Sequence, residues 1–145
     1  MSTTVLGCDP GDTTGLGLIE VNEKEIKLLE FRESRDLTAK DYLDLLIRAD
    51  QIIIESFLIR PMKARSGAFD WSDMKTPRVI GAITAQLANL GKTPVFQEPS
   101  VKPVGYGFSN QHYKAGKKGT HHQDAIAHAV YYAVKILKAN PVKRT

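Results

Sequence analysis

Residues 51–55 read Gln-Ile-Ile-Ile-Glu, and this short run constrains the fold more than any other stretch of the chain. Three consecutive β-branched residues suit an extended backbone and leave no polar side, so the strand must be covered on both faces. Such a strand belongs inside a sheet with helices above and below it. It ends on a carboxylate, Glu55, where the chain leaves the core. A second apolar run, residues 3–9, ends the same way, on Asp9, before a Pro10-Gly11-Asp12 turn.

The remaining elements follow from periodicity and capping. Residues 15–21 predict a second strand, with a turn at Asn22-Glu23. Ile26, Leu28 and Glu30 alternate with Lys27, Leu29 and Phe31, as in a third strand of an antiparallel meander. Thr38 with Asp41 three residues on predicts a helix start, and Tyr42, Leu45 and Leu46 form its apolar face. Beyond an irregular stretch, 59–75, Thr76-Pro77 opens a helix with Pro77 at its first position; Val79, Ile80, Ile83, Leu87 and Leu90 line one face and Gly91 closes it. Pro94-Val95-Phe96 is a short last strand. Residues 98–119, rich in Pro, Gly and Lys, read as a functional loop with one helical turn. Thr120 and Gln123 form a capping box that launches a final helix reaching Ala139, with Ile126, Val130, Val134 and Leu137 as its core stripe. The order predicts an α/β fold: a mixed five-stranded sheet with helices packed on both faces.

A chain of 145 residues suits one domain, spanning 1–145. No apolar run approaches the roughly 20 residues that cross a bilayer. Met1-Ser2-Thr3-Thr4 lacks the basic start of a signal peptide, and the single cysteine, Cys8, excludes an intrachain disulfide or a cysteine-rich zinc cluster. The expected compartment is the cytoplasm. Charge is unevenly spread: residues 1–50 hold 6 Lys/Arg against 11 Asp/Glu, whereas residues 101–145 hold 8 against Asp124 alone. A basic end attracts a polyanion, nucleic acid first, although a solvated surface gives the same count.

Carboxylates at the ends of buried strands need a partner, because an unpaired buried charge costs several kcal/mol. Asp9, Glu55 and Asp124, the last in the first turn of the final helix, would repel one another unless a cation joined them. Magnesium or manganese suits such oxygen ligands, and two ions about 4 Å apart serve phosphodiester cleavage. His121, Asp124 and His128 are spaced i, i+3 and i+7 along one helical face, so His121 and Asp124 can reach one ion or one water together. His128, one turn deeper, reads as a packed histidine supporting the site, and His122 as exposed. Each residue also has a bland reading: a turn aspartate, a helix-dipole aspartate, core histidines.

Taken in order, these segments resemble RuvC-type Holliday junction resolvases. Gly7-Cys8-Asp9-Pro10-Gly11 with Thr14-Gly15 resembles their opening, and Ile53-Ile54-Glu55-Ser56-Phe57 their second acidic strand. Val79-Ile80-Gly81-Ala82-Ile83 resembles the following helix, Pro94-Val95-Phe96 with Val101-Lys102 the next strand and basic loop, and residues 121–129 the closing catalytic helix. The compact form, with Arg60-Pro61 after the glutamate, is most similar to bacteriophage members. The resemblance implies a ribonuclease H-like fold and metal-dependent cleavage of branched DNA by a homodimer. By position, Asp9 would bridge two Mg2+ or Mn2+ ions, and Glu55 and Asp124 would each hold one. His121 stands where bacterial members often have a fourth aspartate, and would ligate metal or orient water. Lys102 would stabilise charge on the scissile phosphate.

The substrate implied by the resemblance assigns phosphate contacts to Arg60, Lys63, Arg65, Lys102, Lys114, Lys117 and Lys118. The family places a stacking phenylalanine three residues after the second acid, where this chain has Leu58; Phe57, Phe69 or Trp71 would take that role. The helix carrying Gly81, Ala82 and Ala85 is the expected dimer element, unless those residues pack on their own sheet. Two other readings use the same residues: a ribonuclease H-fold nuclease acting on other branched DNA or RNA, and a non-catalytic branched-DNA-binding module. Residues 9–15 also resemble the first phosphate loop of sugar kinases and actin-like ATPases, which need a second domain that 145 residues cannot hold.

Overall fold

The structure, a computed structural model, describes residues 2–57, 74–111 and 120–142. Strands β1 (Ser2–Asp9), β2 (Thr14–Asn22) and β3 (Glu25–Ser34) form an antiparallel meander; β4 (Gln51–Glu55) and β5 (Val95–Gln97) extend it in parallel with β1. The sheet order is β3-β2-β1-β4-β5, so the two acid-ended strands β1 and β4 lie side by side at its centre. The helices are α1 (Leu43–Arg48), α2 (Lys75–Asn89), α3 (Lys102–Phe108) and α4 (His121–Lys135). Among the described residues, no helix is long and apolar enough to cross a membrane.

Period-two alternation divides the sheet's side chains between two cores. Leu6, Cys8, Leu16, Leu18, Ile52 and Ile54 meet Tyr42, Leu45 and Leu46 at α1 and Val79, Ile83 and Leu87 of α2. On the other face Val5, Ile19, Val21 and Ile53 meet Ile126, Ala129, Val130 and Ala133 of α4. The three isoleucines of β4 thus serve both cores, as their unbroken run requires. Asp9 and Glu55, in phase with Val5 and Ile53, fall on the α4 face.

That face holds Gly7, Gly15 and Gly17, and each permits a close approach of α4. A Cβ on Gly7 would overlap the Ala125 carbonyl oxygen, one on Gly15 the His121 carbonyl, and one on Gly17 would lie 2.6 Å from Ile126 Cγ1. The helix therefore rests on bare backbone, which sets the depth of every side chain it sends toward the strand ends.

Four local expectations are corrected. Thr38 does not cap a helix: the Asp36 carboxylate accepts from the Thr38 and Asp41 amides (2.9 and 2.8 Å), a short 3-10 turn follows at Lys40–Tyr42, and α1 starts at Leu43. Pro77 is the third residue of α2, not the first, still within the turn whose N–H groups lack intrahelical partners. The stretch after Glu98 contains the seven-residue helix α3 within its described part. Its Gly105 reads as a loop former in sequence, but it is there because a Cβ would strike the Ala127 carbonyl of α4. Helix α4 has its expected capping box and ends at Lys135, before Ala139.

Candidate active site

Asp9 and Glu55 leave the sheet one position beyond the Cys8–Ile54 register pair, so their carboxyls emerge together at the same edge. Helix α4 crosses this edge with His121, Asp124 and His128 on its facing side. Asp9 is buried, at 7% exposure. Its carboxyl pKa is driven up by burial first and then by the neighbouring Glu55 and Asp124 charges, and it shares a hydrogen bond with Glu55. Burial also raises Glu55, but hydrogen bonds from His128, Asp9 and Lys102 outweigh it and hold this carboxyl below the ordinary range. Burial and crowding thus favour the protonated form of Asp9, while hydrogen bonds favour the charged form of Glu55.

Lys102, the first residue of α3, places its ammonium 2.9 Å from Glu55 Oε1 and 3.6 Å from Asp124 Oδ2. Burial works against its charge, yet the Glu55 hydrogen bond and the surrounding carboxylates raise its pKa. His121 Nδ1 is 3.5 Å from Asp9 Oδ2, with half of the side chain open to solvent. As the side chains stand, no three acidic, histidine or cysteine groups among the described residues form a ready metal cluster. The Lys102 ammonium instead takes the position of a cation between two of the acids. A hard-oxygen donor set that already draws a cation is chemically suited to a divalent ion.

Two supporting residues escaped sequence reasoning. Tyr106, buried on α3, donates its hydroxyl to Asp124 Oδ1 at 2.5 Å. Gln97 ends β5 in register with Glu55 and bonds to His128, whose Nε2 lies 3.1 Å from Glu55 Oε1. One signal was available for Gln97: it ends a third parallel strand beside two that end in acids, and sites in such sheets gather at carboxyl ends. His128 is fully buried against Glu55, where a supporting residue belongs. His122 differs from expectation, stacking on Phe31 with ring centroids 4.6 Å apart and facing Glu33 at 3.6 Å.

Among the described cations of the basic end of the chain, only Lys102 reaches the acids. Lys135 lies 5.8 Å over the Phe108 ring, and Lys138 donates to the Lys135 carbonyl. Phe57 is half-buried. Arg60, Lys63, Arg65, Phe69, Trp71, Lys114, Lys117 and Lys118 lie outside the described residues. On α2, Gly81 and Ala85 are exposed while Ala82 packs on its own core.

The mixed sheet of order 3-2-1-4-5 with its flanking helices is a ribonuclease H-like fold. Within that class the chain is similar to RuvC of Thermus thermophilus. Its structure with a Holliday junction substrate superposes with a TM-score of 0.66 at 17% identity, over 97% of this chain and 99% of that one. A second structure of the same protein gives 0.67 at 18%, covering 97% and 100%. The fowlpox virus resolvase, solved with Holliday junction DNA, gives 0.52 at 14%, covering 94% and 97%. No protein-family model and no curated protein matches the sequence.

Proposed function

We propose that this chain is a metal-dependent endonuclease that resolves four-way DNA junctions as a homodimer. One observation carries the reading: Asp9, Glu55 and Asp124, from three separate elements, are gathered at one edge of the sheet, where Lys102 is drawn between Glu55 and Asp124 as a counter-cation and the neighbouring charges help to raise the Asp9 pKa. Such a like-charge cluster has a use once divalent ions bind. The fold shared along the full chain with two junction resolvases supports this choice of substrate.

Asp9, Glu55 and Asp124 would hold the two Mg2+ or Mn2+ ions, with His121 ligating a metal or orienting the attacking water. Bound ions supply Lewis acidity for phosphodiester hydrolysis. Tyr106 keeps Asp124 turned toward the site, and Glu55 is steadied by His128. Lys102, released from Glu55, can meet a phosphate oxygen. Phosphate contacts from Arg60, Lys63, Arg65, Lys114, Lys117 and Lys118 would hold the junction arms, and Phe57, Phe69 or Trp71 would stack at the crossover. The exposed Gly81 and Ala85 suit a partner helix, and a two-fold dimer offers one site to each of two equivalent strands.

The test is cleavage of a labelled four-way junction beside matched flap and linear duplex, with Mg2+ or Mn2+. Symmetric paired nicks confined to the junction are expected, abolished in Asp9→Asn while junction binding persists. Equal cutting of flaps would reduce the reading to a general branched-DNA nuclease. Junction binding without any metal-dependent cutting would leave a DNA-binding module. Cleavage surviving Asp9→Asn would remove the site assignment.

A further inference from the structure

We propose that Gln97 is a positioning residue: it sets which nitrogen of His128 carries the hydrogen, and thereby the orientation of the Glu55 carboxylate. The geometry stands by itself; its consequence for metal affinity rests on the nuclease reading.

Gln97 Nε2 lies 3.1 Å from the His128 backbone carbonyl and 2.9 Å from its ring Nδ1. A carbonyl oxygen only accepts, so the amide must present its NH2 and not its oxygen. The main chain of α4 thus settles the rotation of the amide. The second amide hydrogen then points at Nδ1, which must accept it with a lone pair. An imidazole accepting at Nδ1 carries its hydrogen at Nε2. Nε2 faces Glu55 Oε1 at 3.1 Å, and so donates to it.

His128 has no exposed surface, so water cannot take over either bond. Lys102 uses the same oxygen, Oε1, at 2.9 Å. Two donors on one oxygen fix the carboxylate's rotation. Strand register makes the arrangement possible: Glu55 and Gln97 are partners on parallel β4 and β5, with His128 lying over both. The opposite tautomer would set Nδ1–H against the Gln97 amide hydrogens and leave Glu55 facing a bare nitrogen.

The test compares the full-length wild type, Gln97→Met and Gln97→Glu by long-range 1H–15N correlation of the imidazoles, with Mn2+ affinity measured by calorimetry. Expected is a hydrogen on Nε2 alone of His128 in the wild type, and on both Nδ1 and Nε2 in Gln97→Glu, where a carboxylate faces each nitrogen. Gln97→Met, which keeps length but not polarity, should lose the fixed tautomer and weaken Mn2+ binding about 10-fold or more, as for other groups that orient a metal ligand. A wild-type hydrogen on Nδ1 would overturn the proposal, as would a Gln97→Met protein with wild-type tautomer and affinity. A wild type that binds no Mn2+ would defeat the nuclease reading instead, with the tautomer comparison still deciding the role of Gln97.

Discussion

Gly7→Ala places one methyl group between the central strand and α4. The new Cβ would overlap the Ala125 carbonyl oxygen and lie 2.9 Å from Ala125 C and 3.1 Å from Ala129 N. All three are backbone atoms within a helix, so no side chain can swing aside. Moving from 2.9 Å to the 3.4 Å of ordinary contact takes half an ångström, and clearing the overlap with the carbonyl oxygen lifts α4 by well over that. Overpacking of this kind costs about 3 kcal/mol, offset by the roughly 0.5–1 kcal/mol that alanine gains over glycine in a strand. The net loss of about 2 kcal/mol leaves a folded protein with a lower urea midpoint. The same lift stretches the 3.1 Å His128–Glu55 bond beyond hydrogen-bonding range. Mn2+ affinity should therefore fall although no carboxylate has been altered. Gly81→Ala is the control: nothing lies within 4 Å of its Cβ, and alanine should add about 1 kcal/mol to helix α2. A loss there would instead place a partner helix against Gly81. Gly7→Ala unfolding at the wild-type urea concentration would refute the claim that strand glycines set the depth of α4.

Without metal, stability should fall as pH rises above the ordinary carboxylate range, because folded Asp9 keeps a proton that the unfolded chain has lost. Thermal melts between about pH 5 and pH 9 check this; the slope should flatten in Asp9→Asn, and an identical slope would clear Asp9 of the effect. Glu55 acts oppositely and only in acid: its lowered pKa contributes stability that is lost as pH drops below the usual glutamate range. Lys92 donates to the Leu46, Ile47 and Ala49 carbonyls at 2.8, 2.7 and 2.7 Å, closing the C-terminal end of α1. Lys92→Met keeps the stem and loses all three bonds, which should cost about 2 kcal/mol in urea unfolding; a cost below about 0.5 kcal/mol would mean that water replaces them.

Much of the architecture was legible locally. The β-branched run of β4, the Thr120–Gln123 capping box and the apolar runs of β1 and β2 are short-range patterns, and each produced its element. Asp9 and Glu55 stood out because they end apolar strands, where carboxylates need a reason to be, and the structure brings them together. Where reading failed, a competing partner decided what the residue does. Thr38 resembled a cap until the neighbouring Asp36 took the amides. Gly105 resembled a loop former because sequence does not show the α4 backbone lying against it.

The sequence alone determined which strands are central, which acids leave them and which face of the last helix carries His121, Asp124 and His128. These depend on periods of two and 3.6 residues, which are properties of the backbone. Tertiary structure decided the rest: that Gly7, Gly15 and Gly17 face one helix, that Lys102 settles between Glu55 and Asp124, and that Gln97 and Tyr106 steady the site. Those contacts join residues from 18 positions apart, Tyr106 and Asp124, to 122, Gly7 and Ala129. Their geometry depends on how closely packed elements approach, and local sequence does not encode that distance.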